Sequence, residues 1–248
     1  MIRMKRTAPT ISLLMLLLVG CSSMKPGSLD VIASSTDTRT SRVGTVLLLR
    51  GWIGIFSTGM DSLGTKVNAA GMQGEVYQTD QWASMAQTLR ATYKELDVHE
   101  PLVLVGHSYG ADDVIRIARE LNKDNIRIDL LITLDPVTPP LVPGNVKHAY
   151  NLYQSNGAFD SLPWLRGIPL EKEPGSTGRV DNLDLRTDRT DLLEPGLDHF
   201  NIEKKQKIHD EVLARLKDVC LPRAVWQAKR DRARAARQAS LVTPDDGS

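Results

Sequence analysis

Nine residues constrain this chain more than any others: Leu102-Val103-Leu104-Val105-Gly106-His107-Ser108-Tyr109-Gly110. The first four are uninterruptedly apolar, which leaves no polar face and predicts a strand buried on both sides. The run ends in a G-x-S-x-G pentapeptide, and beyond it the period changes. Ala111, Val114, Ala118 and Leu121, with Ile117 beside them, recur at helical spacing, while Arg116, Arg119 and Glu120 take the opposite face. Strand, turn and helix in that order hold Ser108 in a strained backbone conformation, where flanking side chains would collide with neighbouring elements; Gly106 and Gly110 remove the collision. Such a turn lifts the hydroxyl above the sheet edge. It also aims the first free amides of the helix, that of Tyr109 among them, at whatever the hydroxyl attacks. That geometry suits acyl transfer; the alternative reading is an ordinary glycine-rich turn.

The same alternation of periods extends to both sides. Residues 43–49 form the first strong strand pattern, and Met60, Leu63, Val67 and Ala70 mark a helix, with Thr58 and Asp61 spaced like a capping box and Gly71 as its stop. Residues 75–78 suggest a brief strand, and Trp82, Met85, Leu89, Tyr93 and Leu96 a further helix. After the central element, residues 128–134, 146–153 and 180–185 read as strands, and Ile208, Val212, Leu216 and Val219 as a closing helix. Strands alternating with helices predict an α/β fold, a mostly parallel central sheet with helices on both faces joined by right-handed crossovers. Prolines at 136, 139, 140 and 143 forbid a long helix after the strand that ends at Leu134. Residues 155–178 are irregular, which predicts either disorder or a lid over a site.

At 248 residues there is room for one α/β domain with a sizeable core. We expect it over residues 43–221, preceded by a Ser/Thr-rich tether over 21–42 with little structure. Residues 1–20 contain Arg3, Lys5 and Arg6 with no acid, followed by an apolar run over 11–19, about half the length needed to span a bilayer. Without them the chain holds 28 basic and 30 acidic residues, a near-neutral body that gives no argument for a nucleic-acid partner. Residues 222–248 form a tail that carries a net +5 between 223 and 237. It suits an anionic lipid surface or is simply a solvated helix.

A serine hydroxyl needs a base within hydrogen-bond reach and a third group to fix the tautomer of that base. Among five histidines, His107 sits inside the turn with its side chain directed away from the hydroxyl. His99 and His148 lie at the opposite edge of the sheet, and His209 lies within the closing helix. That leaves His199, in a turn between the last strand and the final helix, as the expected base. For the acid, Asp135 ends the strand that follows the Ser108 strand by one crossover, so both residues should share one rim. Asp198, Asp181 and Asp184 are the alternatives, and Asp135 could instead be a turn former before Pro136.

The order Ser108, Asp135, His199, with the G-H-S-Y-G elbow and the L-D-P turn, resembles the α/β-hydrolase superfamily and is especially similar to pancreatic-type lipases. It implies an α/β-hydrolase fold over residues 43–219 with a small cap or none, and a serine hydrolase cleaving carboxylic esters. It also implies a second oxyanion amide, that of Trp52, although Arg50 stands where such families usually place a histidine. Thioesterase or amidase chemistry would use the same three residues, and a non-catalytic binding module on this fold is a further alternative. No metal or organic cofactor is implied. Trp52, Ile53, Phe56, Phe159 and Trp164 are candidates for an acyl pocket or for plain packing.

Leu18-Val19-Gly20-Cys21 resembles the lipobox of bacterial lipoproteins. The resemblance implies cleavage before Cys21 and its acylation, and Ser22 after it leans toward an outer-membrane location facing the periplasm. With Cys21 so used, Cys220 would have no disulfide partner within the chain.

Overall fold

The computed structural model describes residues 26–34, 40–51, 57–94, 96, 99–155 and 167–242. Its centre is a six-stranded sheet in the order β2-β1-β3-β4-β5-β6, with every neighbouring pair parallel. The strands are β1 (Thr45–Leu49), β2 (Gln73–Tyr77), β3 (Leu102–His107), β4 (Leu130–Leu134), β5 (His148–Tyr153) and β6 (Arg179–Asp184). Among the described residues five α-helices accompany them: α1 (Leu29–Ala33), α2 (Gly59–Ala69), α3 (Trp82–Tyr93), α4 (Tyr109–Asn122) and α5 (Gln206–Val219). A sixth, α6 (Arg223–Val242), follows.

The apolar runs of the central strands supply both faces of the sheet, because successive side chains point to opposite sides. Leu47, Leu49, Leu102, Leu104 and Leu131 join one buried cluster with Met85 and Leu89 of α3 and Val114 and Ile117 of α4. Val46, Leu48, Val103, Val105, Ile132 and Leu134 join the other, with Met60 and Leu63 of α2 and Ile208 and Val212 of α5. A mostly apolar strand buried on both faces and helices on both sides are thus one fact seen twice.

Parallel register aligns the C-terminal ends of the strands on one rim. Leu49 pairs with Gly106, His107 with Leu134, and Leu134 with Leu152. The ladder continues one step beyond, since the Ser108 N–H donates to the Leu134 carbonyl and the Asp135 N–H to the Leu152 carbonyl, both at 2.9 Å. Ser108 and Asp135 therefore leave adjacent strands side by side.

The structure departs from the sequence expectations in two places. Residues 26–34, expected to be unstructured tether, include α1, and Ile32 is fully buried in the cluster with Tyr77 and Met85. The short apolar set of α1, with Ile32 inserted and Leu29 packed beside it, is enough to fasten this segment to the cluster. Thr58 precedes α2, but its side chain makes no capping bond. Asp61 pairs with the buried guanidinium of Arg50, through Nε to Oδ2 at 3.0 Å and through a second contact from Nη2 to Oδ1.

Of residues 155–178, Ser155 and 167–178 are described, and those from 167 lie against the body, while the lid-or-disorder expectation for 156–166 lies outside the described residues. Ile168 N–H donates to the Pro136 carbonyl, and Val142 bridges Lys172. Cys220 is fully buried, as a filler between α5 and the sheet.

Candidate active site

Ser108 has φ 55 and ψ −125, a left-handed conformation for a residue with a side chain, at the junction of β3 and α4. Both flanking glycines are required by space. A Cβ at Gly106 would lie 2.2 Å from the Gly110 carbonyl oxygen, and one at Gly110 would lie 2.3 Å from that of Arg50. Gly51, just past β1, abuts Ser108: a Cβ there would fall 3.1 Å from the Ser108 Cβ.

His199 lies in the turn before α5, where the Asp198 carboxylate accepts the Phe200 N–H at 2.9 Å. Its Nε2 is 3.0 Å from Ser108 Oγ, and its Nδ1 faces Asp135 Oδ2 at 3.5 Å, close enough for charge pairing but without a hydrogen bond. All three side chains are buried. A serine hydroxyl donating to Nε2 leaves the ring proton on Nδ1, facing the carboxylate, which is the tautomer that serine activation needs. Asp135 is held in turn by Gln154. The Gln154 N–H donates to Oδ1 at 2.7 Å and its Nε2 to Oδ2 at 3.3 Å. Asp135 has φ 48, and Gly167 closes over it, since a Cβ at Gly167 would lie 2.4 Å from Oδ1.

Behind these residues lies a second imidazole. Side chains alternate along β3, so His107 points toward the α2 and α5 face and away from the Ser108 hydroxyl. Its Nδ1 is 2.8 Å from Ser57 Oγ, and Ser57 Oγ accepts the Gly51 N–H at 2.8 Å. Its Nε2 is 2.9 Å from the His199 backbone carbonyl. These partners fix one tautomer: Nδ1 accepts from Ser57, and Nε2–H donates to His199. Burial, with the neighbouring His199, pushes the pKa of His107 down to about 3, so the ring stays neutral. Glu203 is fully buried 4.0 Å from His107 Nε2, and burial raises its carboxyl to about 7.

Asp112, in the first turn of α4, accepts the N–H of Val137 at 3.0 Å and that of Thr138 at 2.9 Å, pinning the loop after Asp135. Burial raises its carboxyl to about 6.

The remaining histidines lie apart from Ser108. His148 pairs with Asp181 at 2.9 Å, His99 contacts the Glu100 carbonyl at 2.7 Å, and His209 contacts the Glu203 carbonyl. Asp184 binds Ser155 rather than His199.

Tyr109 opens α4, so its amide is among the free donors of the helix N-terminus beside Ser108. Trp52, Ile53, Phe56, Phe159, Trp164 and Cys21 lie outside the described residues. Gln154, Ser57, Gly167 and Glu203 are the supporting residues that the sequence did not single out. Only Gln154 carried a signal, its place just past the strand next to Asp135.

Sheet order, the strained serine after β3 and a histidine loop ahead of the last packed helix give the class: this is the α/β-hydrolase fold. No family model and no curated protein matches the chain. Among solved structures it is similar to a type II thioesterase of the yersiniabactin biosynthetic pathway, with 12% identity over 73% of this chain and 95% of that one and a TM-score of 0.40. It is also similar to a hydrolase of the α/β superfamily from Xanthomonas campestris pv. campestris (14% identity, 69% of this chain, 99% of that one, TM-score 0.36). A third is Est1E from Butyrivibrio proteoclasticus (18% identity, 39% of this chain, TM-score 0.30), of whose length the match spans 42%.

Proposed function

We propose that this chain is a lipid-anchored serine hydrolase that cleaves carboxylic esters through an acyl-enzyme. The observation that carries the reading is the 3.0 Å contact between Ser108 Oγ and His199 Nε2 with a buried carboxylate behind the ring. Ser108 Oγ attacks the ester carbonyl carbon as His199 Nε2 takes its proton; the tetrahedral adduct collapses, the alcohol leaves with the proton returned by His199, and the acyl group stays on Ser108. Water, deprotonated by His199, then releases the acid and restores the hydroxyl. Asp135 orients the ring and offsets the imidazolium charge. The amides of Tyr109 and Trp52 stabilise the oxyanion. Residues 1–20 serve as the signal, and acylated Cys21 holds the body at the outer membrane, facing the periplasm.

Covalent labelling by a fluorophosphonate probe tests the reading. The wild-type chain should label and Ser108→Ala should not; absence of labelling in a folded wild-type protein would leave a binding module. Rates on p-nitrophenyl esters of increasing acyl length, set against matched thioester and amide substrates, then assign the bond. Faster turnover of the thioester or amide would replace the ester assignment.

A further inference from the structure

The chain ahead of β1 is fastened to the body at a particular place. Gly27 exchanges two hydrogen bonds with the Gln81 side chain, its N–H donating to Oε1 at 3.1 Å and its carbonyl accepting from Nε2 at 2.9 Å. The Tyr77 hydroxyl donates to the Ser28 carbonyl at 2.8 Å, and the Ser28 N–H donates to Glu75 Oε1 at 3.0 Å. A Cβ on Gly27 would lie 2.5 Å from the Tyr77 ring, so this is a close-packed seat. Tyr77 ends β2 in register with Leu49, and Leu49 is in register with Gly106. The seat therefore lies on the rim that carries Ser108, two strands away, about 10 Å. From there the chain descends to the other edge, where Arg42 N–H bonds to the Gly71 carbonyl before β1 begins. The basic helix α6 also starts at that other edge, with Arg223 N–H on the Ser41 carbonyl and its guanidinium on Glu100.

Resting on the lipid-anchor reading above, we propose that the catalytic rim faces the bilayer and that the substrate is an acyl ester of a membrane-resident amphiphile. Five peptide steps separate Cys21 from Pro26, a reach of at most about 17 Å. Inverting the body would lift Pro26 by the height of the sheet, about 20 Å for six residues, beyond that reach. Two of the large apolar side chains exposed on the surface, Leu193 (37%) and Phe200 (47%), lie in the segment between β6 and α5 on this same rim. The Phe200 ring packs 5.4 Å from that of His199. An exposed aromatic beside the base suits an apolar phase better than water.

The test uses the full acylated chain in phosphatidylethanolamine/phosphatidylglycerol vesicles. One fluorophore is placed at Asp80→Cys, on the rim, and another at Lys123→Cys, at the opposite end of α4; Cys220 is buried, with its thiol pushed up to about 12, and does not compete for label. A headgroup-bound quencher should quench the Asp80 label several-fold more than the Lys123 label. Equal or reversed quenching overturns the orientation, and mass spectrometry showing Cys21 without acyl chains overturns its premise. A twenty-residue Gly/Ser insert between Cys21 and Pro26 should lower turnover of a bilayer-resident acyl ester several-fold and leave a soluble short-chain ester unaffected. Unchanged turnover of the bilayer ester overturns the role of the short tether, and turnover of the soluble ester with none of the bilayer ester by the wild-type chain overturns the substrate class. Rim quenching without turnover of any ester would instead overturn the hydrolase reading and leave the orientation standing.

Discussion

His107 Nε2 sits 2.9 Å from the backbone carbonyl of His199, so the imidazole next to Ser108 in sequence holds the loop that carries His199. Its other nitrogen reaches Gly51 through Ser57, and Gly51 abuts Ser108. One buried neutral ring thus joins the loop after β1 to the loop before α5. Replacing it by alanine removes two buried hydrogen bonds and leaves their partners unsatisfied. His107→Ala should destabilise the fold by about 2–4 kcal/mol. On the proposed mechanism, kcat should fall more than KM rises in the folded fraction, because His199 and the backbone at Gly51 lose alignment with Ser108 rather than substrate contacts. Denaturant unfolding together with steady-state kinetics checks both halves.

Ser108→Ala should reduce ester turnover by about 10⁴-fold or more. The substitution removes one hydroxyl from a position whose backbone is fixed by Gly106 and Gly110, so the circular dichroism spectrum should match that of the wild type. A loss of turnover accompanied by a changed spectrum would point to misfolding instead.

Asp135→Asn keeps the shape of the acid but disturbs the tautomer and charge of the pair. A fall in kcat of about 10³–10⁴-fold is expected. Gly167→Ala attacks the same carboxylate by steric means, since its Cβ would meet Oδ1 at 2.4 Å. It should cost about 1–3 kcal/mol of stability and slow turnover as well; a silent Gly167→Ala variant would show that the loop yields freely.

Glu203 gives a pH signature. Its folded pKa of about 7 exceeds the usual glutamate value, so folding binds a proton here. The associated stability is complete below the unfolded pKa, near 4.5, and is lost as pH rises through about 7. His107 has the opposite sign: its folded value near 3 lies below the usual 6.5, so its contribution is lost as pH falls from 6.5 toward 3. Between 4.5 and 6.5 the two slopes oppose one another. Glu203→Gln should therefore raise stability relative to wild type at pH 8.5, by up to about 3 kcal/mol, and change little at pH 4.5. Urea unfolding at the two pH values measures this difference.

Much of the architecture was legible before any coordinates. The apolar runs at 46–49 and 102–105 and the mostly apolar run at 130–134 leave no solvent face, and strands of that kind belong in a parallel sheet covered on both sides. The change of period after Gly110 located the turn, and the crossover between β3 and β4 put Asp135 beside Ser108. His199 followed by setting aside histidines at the wrong edge or within a helix. Less legible were residues that act by being near something distant. Nothing at Ser57 announces that it will stand between Gly51 and His107, and nothing at Gly167 says that it will roof Asp135. Ile32 lies in a Ser/Thr-rich stretch with little periodicity, and only the packing of Tyr77 and Met85 shows that it joins the core.

By itself the sequence determined the strands, the strained serine turn and the rim on which serine and acid meet, because periodicity, glycine placement and the handedness of crossovers are local properties. Only tertiary structure decided the 3.0 Å approach of His199, the neutral state of His107 and the raised pKa of Glu203. Those depend on distance and on how much water has been excluded. Both are set by segments separated by tens of residues in the chain, which the fold alone brings together.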